Sequence, residues 1–153
     1  MANLSVLDLN GTYRVDGEAS DSMEPVLKIQ GYGWALRKIA AKVGDSMILT
    51  IEHTEEKLVQ TYSSSVKSKV VEILLSWDHT TVRDDELKAN IEYTITYEED
   101  GKVLVIFAKT DAWTREVKWR RLNEKSVESI IVAKSKTETA TAKRTYRKVV
   151  LRQ

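Results

Sequence analysis

Cysteine is absent from this chain, which removes disulfides, zinc–thiolate sites and cysteine nucleophiles from consideration. Small barrels outside the cell commonly carry disulfides, so the same absence points toward the cytosol. The sequence holds one proline, Pro25, and six glycines in 153 residues, so few positions force the backbone to break. Neither sign of charge dominates: 24 basic against 23 acidic residues leave a formal charge of +1. No global field therefore draws the chain onto nucleic acid or an anionic membrane, and any such attraction has to come from a local patch. No apolar run approaches the roughly 20 residues that a spanning helix needs. The opening Met1-Ala2-Asn3-Leu4-Ser5 shows no basic region followed by an apolar stretch, and so predicts no signal peptide. Histidines number two, His53 and His79, and no spacing around them suggests a metal site. No Ser-His-acid arrangement follows from sequence order, and the acid runs Asp84-Asp85 and Glu98-Glu99-Asp100 read as turns. The expectation is a protein with no catalytic constellation, no metal and no cofactor.

What remains has the composition of one globular domain, 42% apolar and 31% charged. A single domain is expected over residues 1–153, long enough to bury about two-thirds of its unfolded surface. From about Asp45 onward the chain reads as successive strands. Met47 to His53, Glu56 to Ser63 (with Leu58, Gln60 and Tyr62 on one face), Val70 to Trp77, Ala89 to Tyr97, Lys102 to Lys109, Thr114 to Leu122, Val127 to Lys134 and Thr141 to Leu151 are rich in β-formers. They are separated by turn-like clusters such as Glu98-Glu99-Asp100-Gly101, as antiparallel hairpins require. Many strands with few prolines favour a closed up-and-down barrel, because closure abolishes exposed edges. Asp21 to Val43 reads instead as helix. Ser22 is placed to cap a first short helix with Pro25 in its first turn. Gly31 and Gly33 interrupt, and a second helix follows with Leu36, Ile39, Ala40 and Val43 on one stripe and Gly44 as its stop. The predicted order is one strand, two short helices, then about nine strands.

Several segments, in this order and spacing, carry a family resemblance. Asn10-Gly11-Thr12-Tyr13-Arg14-Val15 looks like an opening Gly-x-Trp/Tyr strand, and Gly31-Tyr32-Gly33-Trp34-Ala35 like a Gly-x-Gly-Phe-Ala junction between helices. Trp77-Asp78-His79-Thr80-Thr81 with Asp84-Asp85 looks like a turn segment, and Lys143-Arg144-Thr145-Tyr146-Arg147-Lys148-Val149 like an Arg-x-Tyr-x-Lys/Arg ending. The chain thus resembles, over nearly its whole length, the cytosolic fatty-acid-binding and cellular retinoid-binding proteins. It departs from them at Ser20-Asp21-Ser22, where the family has an Asn-Phe-acid lead into its first helix, and in longer turns at Asn123 to Ser126 and Lys136 to Thr139. The resemblance implies a mainly β fold, a flattened ten-stranded antiparallel barrel capped by a helix-turn-helix between its first two strands. It also implies a monomeric cytoplasmic carrier of one fatty acid or similar amphiphile, with no nucleic-acid partner.

Such a barrel has to take a carboxylate out of water without leaving it unpaired. Arginine supplies a permanent charge in a matching fork, and tyrosine adds one oriented O–H. Arg144 and Tyr146 lie two apart on the last strand, on the face of Ala140 and Ala142, and are expected to hold the carboxylate. Matching Arg-x-Leu in Lys118-Trp119-Arg120-Arg121-Leu122 to the family selects Arg120 as a second inward cation, while the alternatives turn Arg121 inward or leave both in solvent. The first choice also turns Lys118 and Glu116 toward the cavity. Val105 and Phe107 match ligand-facing family positions, and Tyr62, Trp77, Ile91, Tyr93 and Met47 follow as wall candidates by alternation. Trp34, Leu36 and Val43 are expected to pack on the barrel mouth. Lys28, Arg37 and Lys38 match three basic positions of the family's cap. Together with Lys42 they offer transient contact with anionic membrane, and in some members such cations form a nuclear-localisation signal. Alternatives are a retinoid or chromophore binder tuned by Lys118, an enzyme acting on a lipid in the same cavity, and a secreted lipocalin, against which the early helix pair argues.

Overall fold

A computed structural model describes residues 7–35, 37–38, 46–64 and 68–149. Ten strands follow one another: β1 (Gly11–Val15), β2 (Ile48–His53), β3 (Lys57–Ser63), β4 (Ser68–Leu74), β5 (Thr80–Asp84), β6 (Ala89–Glu98), β7 (Val103–Lys109), β8 (Thr114–Asn123), β9 (Ser126–Lys134) and β10 (Thr139–Lys148). Helix α1 (Glu24–Ile29) stands between β1 and β2. Ser22 Oγ accepts the Glu24 N–H at 3.2 Å, and Pro25 sits in the first turn, where its missing N–H leaves no bond unmade. Gly31 takes φ +88°, and Trp34, Ala35, Arg37 and Lys38 are again helical, with Arg37 N–H donating to Gly33 O at 3.0 Å. Ile39, Ala40, Val43 and Gly44 of the expected second helix, with Leu36 and Lys42, lie outside the described residues. Trp34 is 66% exposed and does not pack on the mouth.

All ten strands form one sheet in the order β4-β3-β2-β1-β10-β9-β8-β7-β6-β5. Each pairs antiparallel with its sequence neighbours, except that β1 joins β10 (Val15 opposite Tyr146) and that β4 and β5 share no ladder. One cross-link over that gap is ionic: Lys69 Nζ of β4 lies 2.6 Å from Glu86 Oε2, in the turn after β5. Strand β5 falls where the sequence suggested a turn. His79 does turn, at φ 51°, but Thr80-Thr81-Val82 then supplies a β-branched run that pairs with Tyr93 to Ile91.

The interior is apolar at one end, where Leu9, Tyr13, Leu49, Leu58, Leu104, Trp119, Val127 and Tyr146 pack together. Tyr13 ties the chain before β1 into that end, its hydroxyl donating to Leu9 O at 2.7 Å and Asn10 O at 3.0 Å. Helix α1 covers the other end. Its Val26, fully buried, rests on Ile131, Ala133 and Ala142, contributing about 1.5–3 kcal/mol of burial; the alanines leave the helix room to approach. The outer face over β6 to β10 is stitched by charge. Lys118 Nζ reaches Glu98 at 3.0 Å, Arg120 reaches Glu99 at 3.0 Å and Glu128 at 3.9 Å, and Lys143 reaches Glu128 at 3.5 Å.

Candidate ligand cavity

Between the apolar end and α1 the barrel encloses a cavity of about 330 Å³. Register decides what faces it. Gln60 and Tyr62 on β3 stand opposite Val71 and Lys69 on β4, and Arg115, Val117 and Trp119 on β8 stand opposite Ala133, Ile131 and Ser129 on β9. Ser129 in turn faces Arg144 on β10, and Val127 faces Tyr146. Met23, Leu27, Gln30 and Tyr32 close the cap side.

Arg144 and Tyr146 line the cavity, as do Tyr62, Tyr93 and Met47. The other wall assignments need correction. Arg120 and Lys118 point outward into the ion pairs above, with Glu116 beside Lys118 at 3.8 Å. The β8 register is one residue off the motif-based choice, because Val117 and Trp119 take the inner face and the charged alternates take the wet one. Arg121 shares the inner parity but sits at the strand's end, where its guanidinium donates to Asp8 O, Asn123 O and Glu124 O. Val105 and Phe107 stand opposite Lys118 and Glu116 on that same outer face, and Ile106 is the β7 residue on the wall. β7 is apolar on both faces, so its sequence carries no parity. Ile91 points inward but is buried with Ala108 and Trp113, away from the wall. Trp77 packs on Tyr93, ring centroids 5.0 Å apart, behind the wall. The cap cations do not form a free patch. Lys28 lies 4.0 Å from Glu138, Lys38 lies 3.1 Å from Glu24, and Arg37 donates to Tyr32 O at 2.9 Å.

The wall combines apolar surface with hydrogen-bond donors that have nothing to bond. Arg144 is 6% exposed; one of its amino groups donates to Asp21 O, and its Nε is buried without a partner. Trp119 Nε1 and Arg115 Nε are likewise buried and unpartnered. No aspartate or glutamate lines the cavity among the described residues, while Lys69, Arg115 and Arg144 do. Burial holds the Tyr146 hydroxyl well above the ordinary phenol range, with Arg144 and Ser129 hydrogen-bonding it in the opposite sense. It stays protonated at neutral pH and can donate. Burial likewise raises Tyr62, against the pull of Arg115 and Arg144. Burial, the largest single influence, would lower Lys69, but the hydrogen bond and charge of Glu86 together with Tyr32 and Asp84 outweigh it and raise it, so this ammonium is charged and already neutralised. Arg115, Trp119, Ser129 and Gln60 were not assigned from sequence; the signal for the first two was the alternation Arg115-Val117-Trp119 against Glu116-Lys118-Arg120.

No protein-family model and no curated protein sequence matches the chain. Solved structures do. A fatty acid transporter, REP1-NXSQ, superposes with a TM-score of 0.72 at 16% identity over 95% of this chain and 98% of that one. Human cRBP IV gives 0.72 at 16% identity over 93% and 98%. The chain shares the fold of these solved proteins. A Schistosoma mansoni fatty acid binding protein in complex with arachidonic acid belongs to the same set, with a TM-score of 0.69 at 15% identity over 96% and 98%. At these identities the shared property is the barrel with its cap, and the side chains inside this barrel are its own.

Proposed function

We propose that the protein is a lipid carrier that holds one hydrophobic carboxylate, a long-chain fatty acid or similar amphiphile, inside the barrel and catalyses no reaction on it. The observation that carries this reading is Arg144, a buried guanidinium with no carboxylate partner among the described residues, facing an apolar cavity beside the donors of Tyr146 and Trp119. Buried donors left unpaired are costly, and an anionic ligand satisfies several at once. The fold's occurrence in fatty-acid transporters and binding proteins supports the same ligand class. As a carrier it would act in the cytoplasm, with the exposed Trp34 of the cap making passing contact with membranes.

Titration of a fluorescent fatty acid into variants tests this. Arg144→Met is expected to weaken binding by about 2–5 kcal/mol, since it leaves a buried anion poorly paired. Tyr146→Phe is expected to cost at most about 1.5–3 kcal/mol, one hydrogen bond to a charge. Arg120→Ala, on the outer face, should leave affinity unchanged. Native mass spectrometry of protein purified without delipidation identifies what copurifies. Unchanged affinity in Arg144→Met would overturn the reading.

A further inference from the structure

The cavity has cationic donors at two levels, which bears on the class of ligand within the carrier reading just given. Arg144 lies at the apolar end, level with Ser129 and Trp119. Arg115 lies toward α1: it stands opposite Ala133, which stands opposite Ala140, four positions before Arg144 on β10. At the rise of a strand, four residues separate the two levels by about 13 Å. Outside the cavity, several arginines find acids: Arg120 has Glu99 and Glu128, Arg121 has Asp8, and Arg147 has Asp16 at 2.7 Å, while Arg37 of the cap donates to a backbone carbonyl, Tyr32 O. Arg115 has no carboxylate within ion-pair distance among the described residues. Its guanidinium stacks on Trp113 at 5.7 Å from the ring centroid, and its Nε is buried and unbonded. The nearby Lys69 cannot take this role, because Glu86 holds it at 2.6 Å. Apolar side chains, Val117 and Ile131, fill the wall between the two arginine levels.

One carboxylate cannot sit at both levels. We infer that the cavity is built for an amphiphile with an anionic group at each end of an apolar body, a dicarboxylic acid of fatty-acid length, with Arg144 and Tyr146 holding one end and Arg115 the other. A monocarboxylic acid uses only the deep level and leaves Arg115 unpaired.

Competition titrations compare dodecanedioic and hexadecanedioic acids with dodecanoic and hexadecanoic acids, on wild type, Arg115→Met, Arg115→Lys, Arg144→Met and the outer-face control Arg120→Met, with melting temperatures recorded for each. The wild type is expected to bind one of the diacids about tenfold or more tighter than the matching monoacid, the worth of one further charge-assisted bond. Arg115→Met should erase that preference while leaving monoacid affinity within about twofold, Arg115→Lys should keep part of it, and Arg144→Met should weaken every acid. Monoacids that bind through Arg144, with diacids that gain nothing over them, would refute the second anion level and leave the carrier reading standing. Acids that all bind weakly and ignore Arg144→Met would remove the carrier reading itself. Equal losses of monoacid and diacid in Arg115→Met would show that Arg115 serves the same end as Arg144.

Discussion

Single side chains at the apolar end set how this barrel responds to acid. His53 Nδ1 accepts the Leu9 N–H at 3.3 Å, and burial lowers the histidine's pKa against a smaller opposite pull from Asp8. A folded-state pKa below the unfolded value of about 6.5 means the unfolded chain binds the proton first, so stability is full above about pH 6.5 and declines as pH falls toward the folded pKa. His79 runs the other way. Its hydrogen bond to Glu92, with Nδ1 2.8 Å from Oε1, raises it, so its contribution belongs below the unfolded pKa and is lost on raising pH. It is fully exposed, and solvent screens it. Melting temperatures taken from about pH 5 to about pH 8 should therefore fall on the acid side in wild type and in His79→Gln, and fall less in His53→Gln, whose amide oxygen accepts the same N–H without titrating. An identical acid profile in His53→Gln would assign the loss elsewhere. Tyr13→Phe tests the neighbouring anchor: it strands the buried Leu9 carbonyl and should cost about 1–3 kcal/mol by urea denaturation.

Strands differ in how openly they declare which way they face, and that difference separates the legible part of the site from the rest. On β10 the inner Ala140, Ala142, Arg144 and Tyr146 alternate with Lys143, Thr145 and Arg147, so parity and motif agree and both residues reach the cavity wall. On β8 they disagree. Alternation sets Arg115, Val117 and Trp119 against Glu116, Lys118 and Arg120, but an Arg-x-Leu match pulled the register by one and put three ion-paired charges inside. β7 has apolar residues on both sides and offers no parity, because the outer Val103 and Val105 are themselves buried beside the charged ladder. β5 was hidden for another reason: it is five residues long and follows a left-handed His79, so a turn signature masks it. The ten-strand meander with its early helix was legible because it depends on composition and hairpin spacing, not on which face a strand presents. At Gly11 the sequence motif and its physical cause coincide. The residue adopts φ +151°, and a Cβ there would stand 3.0 Å from the ring of the buried Tyr13. Gly11→Ala should destabilise by about 1–3 kcal/mol, as overpacking in a rigid site does, and a neutral result would mean that β1 can shift against β2.

Among the described residues the hydrogen-bonded ladder is continuous everywhere except between β4 and β5. Local opening should begin there. Amide exchange is expected to be fastest along the outer edges of β4 and β5 and slowest through β8, β9 and β10, where each strand is held on both sides. Uniform protection around the sheet would contradict the gap. The opposite seam, β1 on β10, behaves differently because it joins the two ends of the meander, from Thr12 to Val149. Every other ladder among the described residues joins consecutive strands, so this one carries most of the loop-closure entropy of the fold. The closing strand is also the one that bears Arg144 and Tyr146. An empty barrel therefore has to shut on a guanidinium with no carboxylate partner among the described residues and an unbonded Nε, whereas a filled one shuts on a paired ion. Under the carrier reading, cargo acts as the clasp of the container, favouring the shut form by RT ln(1 + [L]/Kd). Under that same reading the protein without cargo opens this seam more readily, and β1 and β10 then become bare edges open to proteases and to each other's copies. Loading and lifetime would then be written into the same strand.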